Sequence, residues 1–314
     1  MKKILLLSVA VIVIFTLSSC GKKNRVTRQT FAFDTVINIT TDKKDSGRIE
    51  EAFTLCRHYE KIFSRTDPES ELFLINEKKA TSLSDDIKEV LDFSLKMSAY
   101  TDGAFDITVA PLVDLWNVRE RTSPPQDSEI SEALSHIGYK SISVEPFDTA
   151  GKTLDMGAIA KGYIADKLIE EFKKSSTENV IIDLGGNVAL IGEYTVGIRD
   201  PFNPEEIFAT ISLKDKSAVT SGSYQRYFEY DKKRYHHIID PRTGYPSDSG
   251  IASVTVISPS SMEADALSTA IFIMGKDSIS LCRKFPDTDA FIIMEDGSTY
   301  QTENFAKKYS LNLK

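Results

Sequence analysis

The sequence predicts an α+β fold, with a largely antiparallel sheet as core and helices packed on it. Two patterns carry that reading. Apolar residues recur at helical spacing through most of the first half, whereas two-residue alternation dominates from about residue 180 onwards. Turn signals such as Asp231-Lys232-Lys233 separate the later strands, and helices followed by hairpins argue against an alternating parallel fold.

Taken in order, residues 31–40 alternate Phe31, Phe33, Ile37 and Ile39 and read as a strand. Ile49, Phe53, Cys56, Tyr59, Ile62 and Phe63 mark one face of a helix over 46–64. A second helix starts at Ser82 or Ser84, with Ile87, Val90, Leu91, Leu95 and Ser98 on one side. Residues 121–127, with Pro124-Pro125, form a surface connection. A third helix spans 157–174, with Ala160, Ile164, Leu168 and Phe172 stacked at four-residue spacing. Strands follow at 180–184, 188–191, 195–198 and 207–213, then a hairpin of 224–230 with 234–239. A strand at 251–257, a helix through Asp265, a helix near 279–285, a strand at 290–294 and a terminal helix complete the pattern.

The first residues are a targeting segment rather than fold. Lys2 and Lys3 precede an apolar run over 4–17, which ends on Leu17-Ser18-Ser19-Cys20-Gly21. That ending resembles the bacterial lipoprotein box, so residues 1–19 are expected to be cut away and Cys20 acylated. Residues 20–30 are then a tether and 31–314 one domain. Two acyl chains suffice for stable anchoring. The protein is therefore expected at the bacterial cell membrane, facing the periplasm or extracytoplasmic space. Without Lys2 and Lys3 the chain keeps 36 basic against 46 acidic residues, a net charge of −10. Nucleic acid is a poor partner for such a surface, and an anionic ligand needs a metal or backbone amides to offset like charge. Cys56 and Cys282 could be bridged or could be buried thiols, and they build no cysteine-type metal site.

The segment 262–270, Met-Glu-Ala-Asp-Ala-Leu-Ser-Thr-Ala, sets Asp265 and Thr269 four apart on one helical face. A carboxylate and a hydroxyl so placed can ligate a hard cation such as Mg²⁺, or form a buried polar pair. Four more segments are rich in Gly, Asp and small residues. Residues 101–106 suggest a turn after a helix, with Asp106 pointing away from Phe105. In 154–162 Asp155 precedes a helix start, which suits a helix cap or phosphate on free amides, with Lys161 adding charge. Residues 183–187 suit a hairpin turn. In 236–246, alternation puts His236 and His237 on opposite faces of a strand end.

The order of these segments is more specific than any one of them. FDTVINI at 33–39, FSRTDPESEL at 63–72, DGAFDITVAPL at 102–112 and LDMGAIAKGYIAD at 154–166 come first. IDLGGN at 182–187, GIRDP at 197–201, TSGSYQRYF at 220–228, HIIDPRTGYP at 237–246, SVTVIS at 253–258 and EADALSTA at 263–270 follow. Together they resemble the ApbE family, the FAD:protein FMN transferases, over nearly the whole of 31–314. The resemblance implies Mg²⁺, FAD as substrate, and transfer of FMN to a Thr or Ser hydroxyl of extracytoplasmic acceptors, such as membrane redox-complex subunits, with release of AMP. It further implies that the Ala158 carbonyl, Asp265 and Thr269 hold the metal. Ala104, Phe105, Asp106, Asp155, Lys161, His237 and Ile239 would then line the flavin nucleotide site, with Phe33 and Thr66 beside them. Phe33-Asp34 stands where the family often has Met-Gly, and Thr66 where an aromatic is common. His237 is the expected general base and Asp106 the second choice. A looser flavin site would admit water, so an FAD pyrophosphatase giving FMN and AMP is the alternative. A flavin-binding lipoprotein without chemistry is a third reading.

Overall fold

A computed structural model describes residues 24–80 and 82–314. The targeting segment 1–19 and Cys20 lie outside the described residues. The strand expected over 31–40 is two strands, β1 (Arg25–Ala32) and β2 (Thr35–Asp42), paired antiparallel along their full length. Phe33 and Asp34 both adopt left-handed backbone and form the two-residue turn between them. Alternation hid this turn because the apolar positions keep their parity across it. Residues 25–30 are therefore strand and not tether. β1 is mostly polar and is held by ladder bonds, by Thr27–Thr40 at 2.8 Å and by Arg25–Asp42 at 3.9 Å, none of which has an apolar signature.

Three helices follow, α1 (Arg48–Phe63), α2 (Glu71–Asn76) and α3 (Asp85–Tyr100). Ser84 caps α3 by accepting from the Ile87 amide at 3.3 Å, as its position suggests. The short α4 (Ala110–Trp116) and α5 (Asp127–Ser135) flank the expected surface connection. α6 (Ala160–Lys174) starts later than expected, because 154–159 is an irregular approach. β3 (Val180–Asp183), β4 (Asn187–Ile191), β5 (Glu193–Arg199) and β6 (Ile207–Lys214) match the predicted strands. β7 (Ser217–Gly222) was missed; its Ser-Ala-Val-Thr-Ser-Gly run lacks bulky residues because it lies under a helix. β8 (Tyr227–Tyr230) and β9 (Lys233–His236) form the expected hairpin. β10 (Ile251–Ser258) and α7 (Ser261–Met274) follow, then a 3₁₀ stretch at Lys276–Lys284 in place of the expected helix. β11 (Asp289–Met294), β12 (Thr299–Gln301), a one-turn α8 (Phe305–Lys308) and β13 (Asn312–Leu313) end the chain.

The main sheet runs β1-β2-β3-β4-β7-β10-β11-β12, antiparallel throughout. Its central strands are buried on both faces, so alternate residues enter two cores. Val180, Ile182 and Ala189 face the helices α1, α3, α6 and α7, while Ile181, Val188 and Leu190 face the small sheet β13-β6-β5. A third cluster joins α4 and α5 to the β8–β9 hairpin through Trp116, Ile130, Phe228 and Ile239.

α7 is apolar on nearly every side, with ten of its fourteen residues buried. It crosses α6 at Gly162, where a Cβ would come within 2.7 Å of the Met262 Cα. Two carboxylates tie the pair in opposite senses. Asp166 of α6 accepts from the Ser261 and Met262 amides and the Ser260 hydroxyl, capping α7. Asp265 of α7 accepts from the Gly162 amide at 2.9 Å, capping α6. Gly162→Ala must push the helices apart. Urea unfolding is expected to show a loss of about 1–3 kcal/mol, whereas an unchanged midpoint would mean that the crossing yields freely.

Candidate functional site

One cavity of about 720 Å³ opens where the α6–α7 pair, the β8–β9 hairpin and the α4 region meet. This lies in the range of sites for small organic ligands, roughly 300–1,000 Å³. All the residues singled out from the sequence for metal or flavin line it. Ala158, Asp265 and Thr269 stand together with Lys161 and Asp155. Ala104, Phe105, Asp106, His237 and Ile239 line it too, as do Phe33 and Thr66, the latter exposed. Among the described residues no group of three or more His, Cys, Asp or Glu side chains clusters as a metal cage.

Asp265 is 4% exposed and spends one oxygen on Gly162, while Thr269, one turn on, is partly open. Gly162 donates to this carboxylate, so the Ala158 carbonyl four residues before it is not its acceptor. A carboxylate oxygen, a hydroxyl and a carbonyl form an all-oxygen donor set suited to a hard cation that keeps positions for phosphate or water. Lys161 lies beside the set, its Nζ 4.0 Å from Asp265 Oδ2 and donating to the Gly157 carbonyl at 3.2 Å. A positive charge already sits beside this carboxylate.

Asp155 does not cap α6. Its Oδ1 accepts from the Gly157 amide at 2.8 Å and its Oδ2 pairs with Arg65 Nε at 3.1 Å. Arg65 in turn grips both oxygens of Asp114 at 2.8 Å. Asp106 is buried and committed to three donors: the Thr108 amide and hydroxyl, and the Tyr139 amide. Those bonds pin the 101–106 turn to the loop before residue 140, which suits an anchor better than a mobile base.

The two histidines part as alternation predicts. His236 points inward, with its ring edge-on to Phe272, Nε2 donating to the Ser247 carbonyl at 3.0 Å and Nδ1 accepting from the Ile238 amide. His237 reaches the cavity. Both its amide and its Nδ1 lie within bonding distance of the Arg226 carbonyl, at 3.1 and 3.3 Å. A carbonyl only accepts, so Nδ1 carries the proton and Nε2 keeps a free lone pair. Burial first, then the Arg226 guanidinium, pushes His237 down to about 3; burial pushes His236 down to about 4. Asp183, beneath the Gly185-Gly186 turn, is raised by burial to about 6.

Sequence reasoning missed Arg65, Arg119 and Arg226, all lining the cavity. Arg119 pairs with Asp34 at 3.3 Å, and burial together with Arg119 holds Arg226 below its usual value. Arg65 and Arg226 lie inside motifs quoted above, so their position was visible. What was hidden is that chain distances of 49 and 90 residues close into contacts with Asp114 and Asp155.

Comparison with known proteins gives one family. The ApbE family model matches residues 33–292. An FAD:protein FMN transferase of Treponema pallidum is 32% identical over 329 residues, covering 92% of this chain and 91% of its own. One from Klebsiella pneumoniae is 33% identical over 264 residues, covering 80% and 84%. Among solved structures, the ApbE protein of Thermotoga maritima superposes with a TM-score of 0.80 at 32% identity, covering 90% of this chain and 98% of that one. The flavin transferase ApbE of Vibrio cholerae gives 0.81 at 25% identity, covering 91% and 99%.

The histidine geometry sets a pH response. Below about pH 6.5 an unfolded imidazole takes up a proton that the folded His236 and His237 refuse, so stability falls as pH drops towards their folded values. Asp183 acts in the opposite sense between about pH 6 and 4, being protonated first in the folded state. The His237 ring protons are expected to show no NMR titration between pH 5 and 8; a midpoint near 6.5 would refute its lowered proton affinity.

Proposed function

The chain belongs to the ApbE family, and from that membership we propose that it transfers FMN from FAD onto a Thr or Ser hydroxyl of an acceptor protein, releasing AMP. The observation that carries this reading is the meeting of Asp265, Thr269 and the Ala158 carbonyl with His237 on one cavity. The three oxygens would hold Mg²⁺, which when bound supplies charge neutralisation at the pyrophosphate. Arg226 and Lys161 add positive charge in the same cavity. His237 Nε2, already unprotonated, accepts the hydroxyl proton as the acceptor oxygen bonds to the FMN phosphorus. The bond from that phosphorus to the bridging oxygen breaks, and AMP leaves with it. An anionic ligand beside His237 raises its basicity from the value set by burial.

Place and partners follow from residues outside the cavity. The Leu17-Ser18-Ser19-Cys20 pattern supports cleavage, acylation of Cys20 and anchorage at the bacterial cell membrane. The acceptors would then be extracytoplasmic proteins, such as subunits of membrane redox complexes. A second reading is supported by Thr66, exposed at the cavity with no ring to stack on flavin. Water could then replace the acceptor, giving FMN and AMP.

Mass spectrometry of the full chain in detergent with FAD, Mg²⁺ and a Thr-bearing acceptor separates these readings. The acceptor is expected to gain FMN with one AMP released per transfer. AMP with free FMN and an unlabelled acceptor would instead favour the hydrolase, and unchanged FAD would leave only binding. Asp265→Ala should abolish turnover. His237→Ala should slow transfer by roughly 10²–10⁴-fold, and near-normal turnover across neutral pH would remove the histidine from the chemistry.

A further inference from the structure

Behind Thr269 lies a short chain of hydroxyls whose proton direction is fixed at one end. Ser268 is fully buried on α7, and its Oγ donates to the Asp265 backbone carbonyl at 2.9 Å. A hydroxyl has one proton, and the carbonyl has none to give. Ser268 can therefore only accept from its next neighbour, Ser221 Oγ on β7, at 2.8 Å. With its proton spent on Ser268, Ser221 can only accept from Thr269 Oγ1, at 3.4 Å. Thr269 thus gives its proton backward into the protein. Towards the cavity it offers lone pairs alone.

We infer that Ser221 is a positioning residue that turns the Thr269 hydroxyl into a pure acceptor facing the cavity, through a one-way relay ending on the Asp265 carbonyl. The inference rests on reading Asp265, Thr269 and Ala158 as a Mg²⁺ site. It adds a reason why this threonine meets a cation and not a phosphate oxygen. A phosphate oxygen needs a donor, and the relay removes the only one Thr269 has. The strand supplies the serine at the required place, because Ser221 sits opposite Val254 in the β7–β10 ladder and lines the cavity beneath α7. The same carbonyl-to-hydroxyl order would tighten the cation site without adding charge to a chain that is already acidic.

The test is Mn²⁺ binding to the full chain in detergent, read by electron paramagnetic resonance and by competition with Mg²⁺, with no flavin present. Ser221→Ala and Ser268→Ala are each expected to weaken binding about tenfold, the low end for partners behind a metal ligand. The double variant should be no weaker than either single one, since both break the same relay. Ser221→Thr, which keeps the hydroxyl, should restore affinity. On a Thr269→Ala background, Ser221→Ala should have no further effect. Wild-type affinity in Ser221→Ala, or losses that add in the double variant, would overturn the relay while leaving the metal site standing. Unchanged affinity in both Asp265→Ala and Thr269→Ala would overturn the metal site itself and the relay with it. Should Ser268→Ala fail to fold, the cycle between Ser221 and Thr269 decides alone.

Discussion

The reciprocal capping of α6 and α7 is the contact on which the rest of the site depends. Each helix lends a carboxylate to the other's first turn, Asp166 to Ser261 and Met262, Asp265 to Gly162, and glycine at the crossing lets the backbones approach. Unpaired amides at a helix start are costly to bury, and a carboxylate satisfies them while matching the positive end of the helix. Asp265 therefore ties the two helices with its Oδ2 while it lines the cavity. Its place in the cavity is a by-product of a structural bond that cannot move without unlocking both helices. Such rigidity suits a site for a bound ligand, because small displacements of a reacting group are expensive.

Charge is distributed to suit an anionic ligand on an acidic protein. The chain carries a formal −8, yet Arg65, Arg119, Arg226 and Lys161 all line one cavity. Three of them have carboxylate neighbours, Arg65 with Asp114 and Asp155, Arg119 with Asp34, and Lys161 with Asp265. Those pairs hold the cations in place while leaving the local field modest. Arg226 differs, since burial and the Arg119 guanidinium lower its proton affinity against the pull of Asp34. The combination favours a ligand that brings its own negative charge together with a metal.

Much of this was legible in the sequence, for identifiable reasons. Strands that bury one or both faces, such as β10, and helices with an apolar stripe, such as α1, follow from periodicity. The Asp265–Thr269 pair was readable because four-residue spacing is a local property. The separation of His236 from His237 was readable because alternation is local too. Elements held by polar ladders or shielded by a helix were not readable, which is why β1 ran into the supposed tether and β7 went unseen. Asp106 and Asp155 line the cavity, but their polar partners lie up to 90 residues away in chain, and no spacing rule reaches them.

The β8–β9 hairpin is an excursion between neighbouring strands of the main sheet, since β7 pairs directly with β10. Its two feet are Arg226 and His237, clasped by the bonds from the His237 amide and ring to the Arg226 carbonyl. Beyond that clasp, Phe228 and Tyr235 pack on Trp116 and His236 on Phe272, so only the exposed tip from Glu229 to Arg234 can change length or sequence without altering the core or the place of His237. The chain thus separates His237 from an exposed outer tip at a single carbonyl. A lineage could thus exchange the tip for a new shape while keeping the histidine where it stands.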